Sequence, residues 1–476
     1  MKKYFVLLTS ALLFSCASDD KYEDLNRDPN NPTQVSADAL FTSATKSLFD
    51  QMESTNVNTN VFRLYSQYWT ETTYIDESNY DLVTRNIPAN HWTEMYTNVL
   101  YDLKDSKSLA DSNNKKAMIE VLEVYTWQQL VDTFGDIPYT AALQGSAEPT
   151  PAYDNDADIY NDLLTRINSA ISMFDASGDA GFTSADVIYG GNISKWQKLA
   201  NSVKLKLAMR IADVNSTVAQ QAAQEAVAAG ILSSNADNAI ISYESSTPNT
   251  NPLWVDLVQS GRSDFVISNT LVDYMNNLSD PRREFYFDDN LGSGVYVGGP
   301  YGDNNAFTSY THIGEMLHDP TFRGVLLDYS EMQFLLAEAV ERGYTVGGTA
   351  EEHYNAGITA SMEDWGVDSS SISSYLANPS VAYSTASGTW REKIGFQFWL
   401  AMYNRGFEGW CVYRKYDAPV MNVAAESGLP VPTRYTYPLR EQTLNGANYT
   451  AASSAIGGDE LDTPIFWDVN SGSGGN

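Results

Sequence analysis

The chain is poor in cysteine and histidine. Cys16 and Cys411 are its only two cysteines in 476 residues, which excludes a disulfide-stapled scaffold. The four histidines, His91, His312, His318 and His353, form no HExxH and no pair at metal-ligand spacing. Basic residues are scarce as well: 29 Lys and Arg face 60 Asp and Glu, a formal charge of −31. That balance excludes nucleic-acid binding, which depends on neutralising phosphate, and adhesion to anionic lipid through a basic patch. There is no Walker loop, no GxSxG elbow and no GxGxxG after a strand pattern. Carboxylate pairs are unavoidable in so acidic a chain and do not by themselves point to glycoside hydrolysis. No catalytic, cofactor-binding or metal-binding motif stands out in the sequence.

Long apolar runs are missing too. The longest, Tyr4 to Phe14, is broken by Thr9 and Ser10 and falls short of the ~20 apolar residues that span a hydrocarbon core. It follows Met1-Lys2-Lys3 and ends in Leu13-Phe14-Ser15-Cys16. A positive start, a short apolar stretch and a small residue before a cysteine read as a lipoprotein signal: residues 1–15 are removed and the Cys16 thiol takes the lipid. Lipidation of Cys16 would leave Cys411 without a disulfide partner. Asp19-Asp20, just after it, resembles the acidic signal that sends some Gram-negative lipoproteins to the cell surface. The expected location is the outer membrane, lipid-anchored and surface-exposed, with the anchor as the only membrane contact. Residues 16–35 are polar and hold Pro29 and Pro32, a linker. Residues 36–476 are expected to form one domain.

Within that domain, apolar residues recur at helical spacing. Helices are predicted over residues 37–52, 115–134, 156–174, 194–214, 218–229, 330–342, 350–363, 390–403 and 407–416, with Gly135-Asp136-Ile137-Pro138 stopping the second and Ser194 capping the fourth. Short strands are predicted at 239–243 and 295–297. The helices come in pairs. Ala350-x3-Tyr354-x2-Gly357 matches the small, aromatic, small step of a tetratricopeptide second helix. The predicted fold class is mainly α: four TPR-like hairpins as a solenoid scaffold, with long loops laid on it. Asp154, Asp156 and Asp158 alternate like the start of a calcium loop, but Ile159 and Thr165 stand where that loop needs Gly and Glu. They read better as acids at a helix N-terminus.

Aromatic residues are abundant: 30 Tyr, 18 Phe and 10 Trp. Sugars offer C–H faces to rings and hydroxyls to Asn, Asp and Arg. Three loops combine these types. One holds Tyr74, Asp76, Asn79 and Tyr80, preceded by Tyr68 and Trp69, which read as structural. Another holds Asn251, Trp254, Asp256 and Arg262. The last holds Tyr296, Tyr301, Asp303, Asn304, Phe307 and Tyr310. The candidate ligand-binding residues are Trp254, Tyr301, Tyr74, Tyr296, Asp76 and Asn304.

Longer stretches then carry a resemblance. NRDPNNPT near the start, DTFGDIPYTAAL from Asp132, PAYDNDADIYNDLL, the segment from Asp186 to Ala212, LLAEAVERGY and RGFEGWCVYRKYDAP occur in that order. Together they resemble the SusD/RagB-type outer-membrane lipoproteins, closest to the SusD-like branch beginning N-x-DPN, over nearly the whole mature chain. The resemblance implies the TPR-like scaffold, a position beside a SusC-like TonB-dependent barrel, and capture of oligosaccharide without catalysis. Some relatives handle peptides instead, so a peptide-capturing lid is an alternative; a surface glycoside hydrolase is a more distant one. Binding residues vary within the family, and none carries over by motif.

Overall fold

Ser36 opens the first helix in the computed structural model, which describes residues 35–470. Its hydroxyl accepts the Ala39 N–H at 3.2 Å and starts α1 (Ala37–Glu53). The signal segment, Cys16 and the linker up to residue 34 lie outside the described residues. α1 packs on α2, which runs Ile87–Thr93, widens to π geometry over Glu94–Tyr101 and continues as Asp102–Leu109. Next come α3 (Asn113–Phe134) with α4 (Asp156–Met173), and α5 (Ile193–Arg210) with α6 (Ser216–Ala229). α7 (Asn269–Leu278) stands apart among the loops. α8 (Tyr329–Glu341) with α9 (Ala350–Trp365) and α10 (Trp390–Ala401) with α11 (Gly406–Tyr416) complete the scaffold.

The four hairpins expected from the sequence are thus α3/α4, α5/α6, α8/α9 and α10/α11, and they stack in that order: α4 on α5, α5 on α8, α8 and α9 on α10. The small residue at 357 explains one close approach. A Cβ there would meet the Phe334 ring of α8 at 2.9 Å, and the Ser330 hydroxyl donates to the Gly357 carbonyl at 2.8 Å. Gly135, at φ 79°, ends α3 where its left-handed backbone was needed. α5 starts earlier than expected: Asn192, not Ser194, caps it by accepting from Lys195 N–H at 3.1 Å. Asp156 and Asp158 sit in the first turn of α4, and no group of residues able to hold a metal ion occurs among the described residues.

Two small antiparallel sheets join the loops to this scaffold. β1 (Trp69–Glu71) pairs with β3 (Phe265–Ile267), and β2 (Ala239–Ile241) with β4 (Gly324–Leu327). The strand expected at 239–243 is β2; residues 295–297 form no strand.

The aromatic richness is spent mostly inside. Trp69, Trp196, Trp399, Trp410 and Trp467 are each under 2% exposed, as are Tyr65, Tyr68, Tyr160 and Tyr286. Tyrosine serves where phenylalanine would not. Tyr68 donates to Trp399 O at 2.6 Å, Tyr125 to Leu326 O at 2.9 Å, and Tyr354 to Val381 O at 2.8 Å. Each hydroxyl satisfies a buried backbone carbonyl far away in sequence while the ring fills the core.

Candidate functional site

The loop that leaves β1 is built to expose one ring. β1 is held in register with β3 by Trp69↔Ile267, Thr70↔Val266 and Glu71↔Phe265, and Thr72 adds a hydrogen bond from its hydroxyl to Ser263 O at 2.6 Å. The chain then turns through Tyr74, Tyr80 and Asn86, all at positive φ (56°, 68° and 57°). Non-glycine residues in that region are uncommon and need surrounding support. Tyr80 finds it in the core, edge-on to Tyr65 at 5.4 Å. Asn79 ties the loop outward, donating to Gly302 O at 2.8 Å and accepting from Ser427 N–H at 2.9 Å. Tyr74 is left at the turn with its side chain in solvent, 68% exposed.

Tyr74 stands on a cleft of about 420 Å³. It is lined by the amides of Asn56 and Asn58, by Asp256, Ser260, Arg262 and Asp264, and by Glu71, Thr73 and Arg85. The guanidinium groups of Arg85 and Arg262 lie 5.9 and 6.0 Å from the Tyr74 ring centroid, within cation–π range. Arg262 is held by Asp264 through bonds of 2.5 and 2.8 Å, and Arg85 by Glu77. A second hollow of about 500 Å³ shares Thr73, Arg262 and Asp264 with the first and extends to Asn304 and Phe307. Burial pushes the Asp256 carboxyl up to about 6 against the lowering effect of Asn56, which donates to it at 3.3 Å. The result is an open, polar groove of amides, hydroxyls and paired charges with Tyr74 as its most exposed ring, which suits a ligand bearing many hydroxyls and C–H faces.

The structure divides the residues expected from sequence. Tyr74 and Asn304 line this groove, and Asp76 borders it, 3.8 Å from Arg85. Tyr301 does not reach it. It is 2% exposed, its hydroxyl donates to Leu64 O at 2.8 Å, and its ring lies 6.0 Å from that of Tyr80. It is a core residue and is withdrawn as a stacking platform. Tyr296 is also buried, edge-on to Phe287 at 5.2 Å, and is withdrawn for the same reason. Trp254 is half-buried and lines neither hollow. Its short helix, Pro252–Trp254, leads into the π turn Val255–Gln259, from which Asp256 reaches the cleft. Asn251 caps that helix, accepting from Leu253 N–H at 2.7 Å. Sequence reasoning singled out Asp256 and Arg262 only as loop residues and missed Asn56, Asn58, Arg85 and Asp264.

A family model described as starch-binding and associating with the outer membrane matches residues 29–438. The chain belongs to the SusD-like family. Solved SusD-like structures superpose over nearly its whole length. A chitin-binding SusD homologue from Flavobacterium johnsoniae is 26% identical, with TM-score 0.78 over 90% of this chain and 99% of that one. A chitin-binding protein is 27% identical, with TM-score 0.78 over 91% and 100%. A SusD homologue from Bacteroides ovatus is 27% identical, with TM-score 0.78 over 90% and 99%. No curated protein matches the sequence. The mainly helical SusD-like fold is therefore shared along the chain, and the groove around Tyr74 lies on the surface of this chain.

Proposed function

We propose that this protein is a lipid-anchored, cell-surface glycan binder that captures oligosaccharide on the groove around Tyr74. It delivers the sugar, uncleaved, to a SusC-like TonB-dependent barrel. The observation that carries the reading is the Tyr74 ring, 68% exposed at the edge of a cleft lined by amides, hydroxyls and two guanidinium groups. Membership of a family described by starch binding, and likeness to structures described by chitin binding, favour a neutral polysaccharide fragment. The acidic chain adds to this: −31 overall disfavours an anionic polymer.

Calorimetric titration with chitin- and starch-derived oligosaccharides tests the reading. Tyr74→Ala is expected to lose about 1–3 kcal/mol of binding, the range for removing a major contact, with its melting temperature unchanged because the ring is in solvent. Undiminished affinity in that variant would remove Tyr74 from the site. The anchor is tested separately. No helix among the described residues is long and apolar enough to cross a membrane; the proposed attachment is the lipid on Cys16. Cys16→Ser, expressed without a barrel partner, is expected to move the protein from the membrane fraction to the soluble one with its circular dichroism intact; retention in the membrane would refute the anchor.

A further inference from the structure

The loop that presents Tyr74 is tied at both ends by buried carboxyl groups. Glu71 ends β1, Glu77 opens the turn Glu77–Asn79, and the residues between them carry Tyr74. Their exposures are 2% and 0%. One oxygen of Glu71 accepts the Ser78 N–H at 2.8 Å, and the Ser78 hydroxyl accepts the Glu71 N–H at 3.2 Å. One oxygen of Glu77 accepts from Arg85 Nε. The other, Oε2, is buried and meets no donor, and the Glu71 carboxyl is the acid neighbouring this side chain. Two neighbouring buried carboxylates, of which only Glu77 bonds a guanidinium, repel unless a proton lies between them.

We propose that Glu71 and Glu77 share one proton at neutral pH, and that this proton latches the loop that presents Tyr74, making both glutamates positioning residues for ligand capture. The inference rests on the reading of Tyr74 as the ligand platform. Among the described residues Arg85 is the one cation bonded to the pair, and it reaches Glu77 only. Arg85 approaches from the far end of the loop and is shared with Asp76 at 3.8 Å. From the strand side, Arg262 and Asp264 pair with each other, and Asp256 lines the same cleft, held by Asn56. Tyr301 faces Glu71 from the core. Burial first, and Glu77 second, push the Glu71 carboxyl up to about 9.

The direction of the pH effect follows. Above the ordinary glutamate value of 4.5, an opened loop sheds the shared proton while the closed loop keeps it. Opening therefore releases one proton and becomes about tenfold easier per pH unit, until the closed pair itself ionises. Capture weakens toward alkaline pH.

The test compares affinity for a neutral, non-titrating oligosaccharide at about pH 6 and about pH 9.5, where the linkage above predicts the contrast. It is paired with hydrogen exchange at the Ser78 amide, corrected for intrinsic base catalysis, which needs no sugar. The parent is expected to lose at least about tenfold in affinity at the higher pH, together with protection at Ser78. Glu71→Gln keeps the latch at both pH values, since its amide N–H donates to Glu77 as the proton did and its carbonyl still accepts from Ser78. Glu71→Ala binds weakly throughout. The same alkaline loss in Glu71→Gln overturns the proposal, as does full protection of parent Ser78 at the higher pH. If no oligosaccharide binds, the exchange data decide the latch alone, so its failure is distinct from failure of the glycan reading.

Discussion

Trp196→Ala is expected to cost about 3–5 kcal/mol of folding stability, the range for truncating a fully buried large aromatic side chain, while leaving the Tyr74 groove unchanged in any molecules that remain folded. The ring is 0% exposed on α5 and packs edge-on to Tyr189 at 5.7 Å and tilted against Phe41 at 6.2 Å. Its Nε1–H donates to Asp186 Oδ2 at 2.7 Å, the same oxygen that accepts the Gly191 N–H at 2.8 Å. The other Asp186 oxygen accepts the N–H groups of Ile188 and Tyr189 at 3.0 and 3.1 Å. Truncation thus opens a cavity between α1 and α5 and frees the turn that leads into α5. Denaturant unfolding checks it: the midpoint falls and the slope stays the same, because the exposed area on unfolding hardly changes. A shift under about 1 kcal/mol would mean that the core collapses around the gap. Set beside Tyr74→Ala, which alters binding and not stability, this variant separates a ring that builds the scaffold from one that meets the ligand.

The contrast between those rings marks what a sequence discloses. Helices with an apolar stripe at 3-4 spacing, such as α4 and α5, declare themselves because the burying face is written locally. α2 does not. Its buried Trp92, Met95, Val99, Leu100 and Leu103 run through the π stretch Glu94–Tyr101, whose wider turn shifts the stripe. Strands of three or four residues show little alternation; of the four only β2, in the apolar run from Ala239, is expected from the sequence. The site was half legible. Tyr74 and Tyr301 share one local signature, a ring among Asn, Asp and Gly or Thr. Whether the ring is buried depends on Leu64, Tyr65 and Tyr80, which only the fold brings to Tyr301. Asn56, Arg85 and Asp264 arrive at Tyr74 from separate segments, and no spacing in the chain encodes their meeting.

Lys206→Met is expected to destabilise the protein by about 3–5 kcal/mol, because it leaves buried carboxylates without the cation between them. Lys206 on α5 donates to Glu331 of α8 at 2.7 Å and to Glu408 of α11, and no side chain in either pair is more than 4% exposed. Arg210 holds the other Glu408 oxygen at 2.8 Å, and Arg405 holds Glu331 at 2.6 Å. The network therefore clamps three helices at the centre of the hairpin stack. Burial alone would raise the Glu408 carboxyl, but Lys206 and Arg210 hold it well below the ordinary 4.5. A depressed value of this kind stabilises the folded parent above 4.5 and is lost on acidification. In the variant, Glu331 and Glu408 repel, so protonating one of them relieves the fold. Both effects have the same sign: the stability gap between parent and variant is full near pH 7 and closes as the pH falls well below 4.5, toward the depressed Glu408 value, which unfolding measured from pH 7 down to about pH 3 reads directly. An exposed pair supplies the control. Lys46 and Asp50 on α1 are 30% and 32% exposed, and Lys46→Met is expected to cost less than about 1 kcal/mol. A Lys206→Met variant as stable as the parent at pH 7 would show that water reaches the clamp, and that the hairpins are held together by their apolar faces alone.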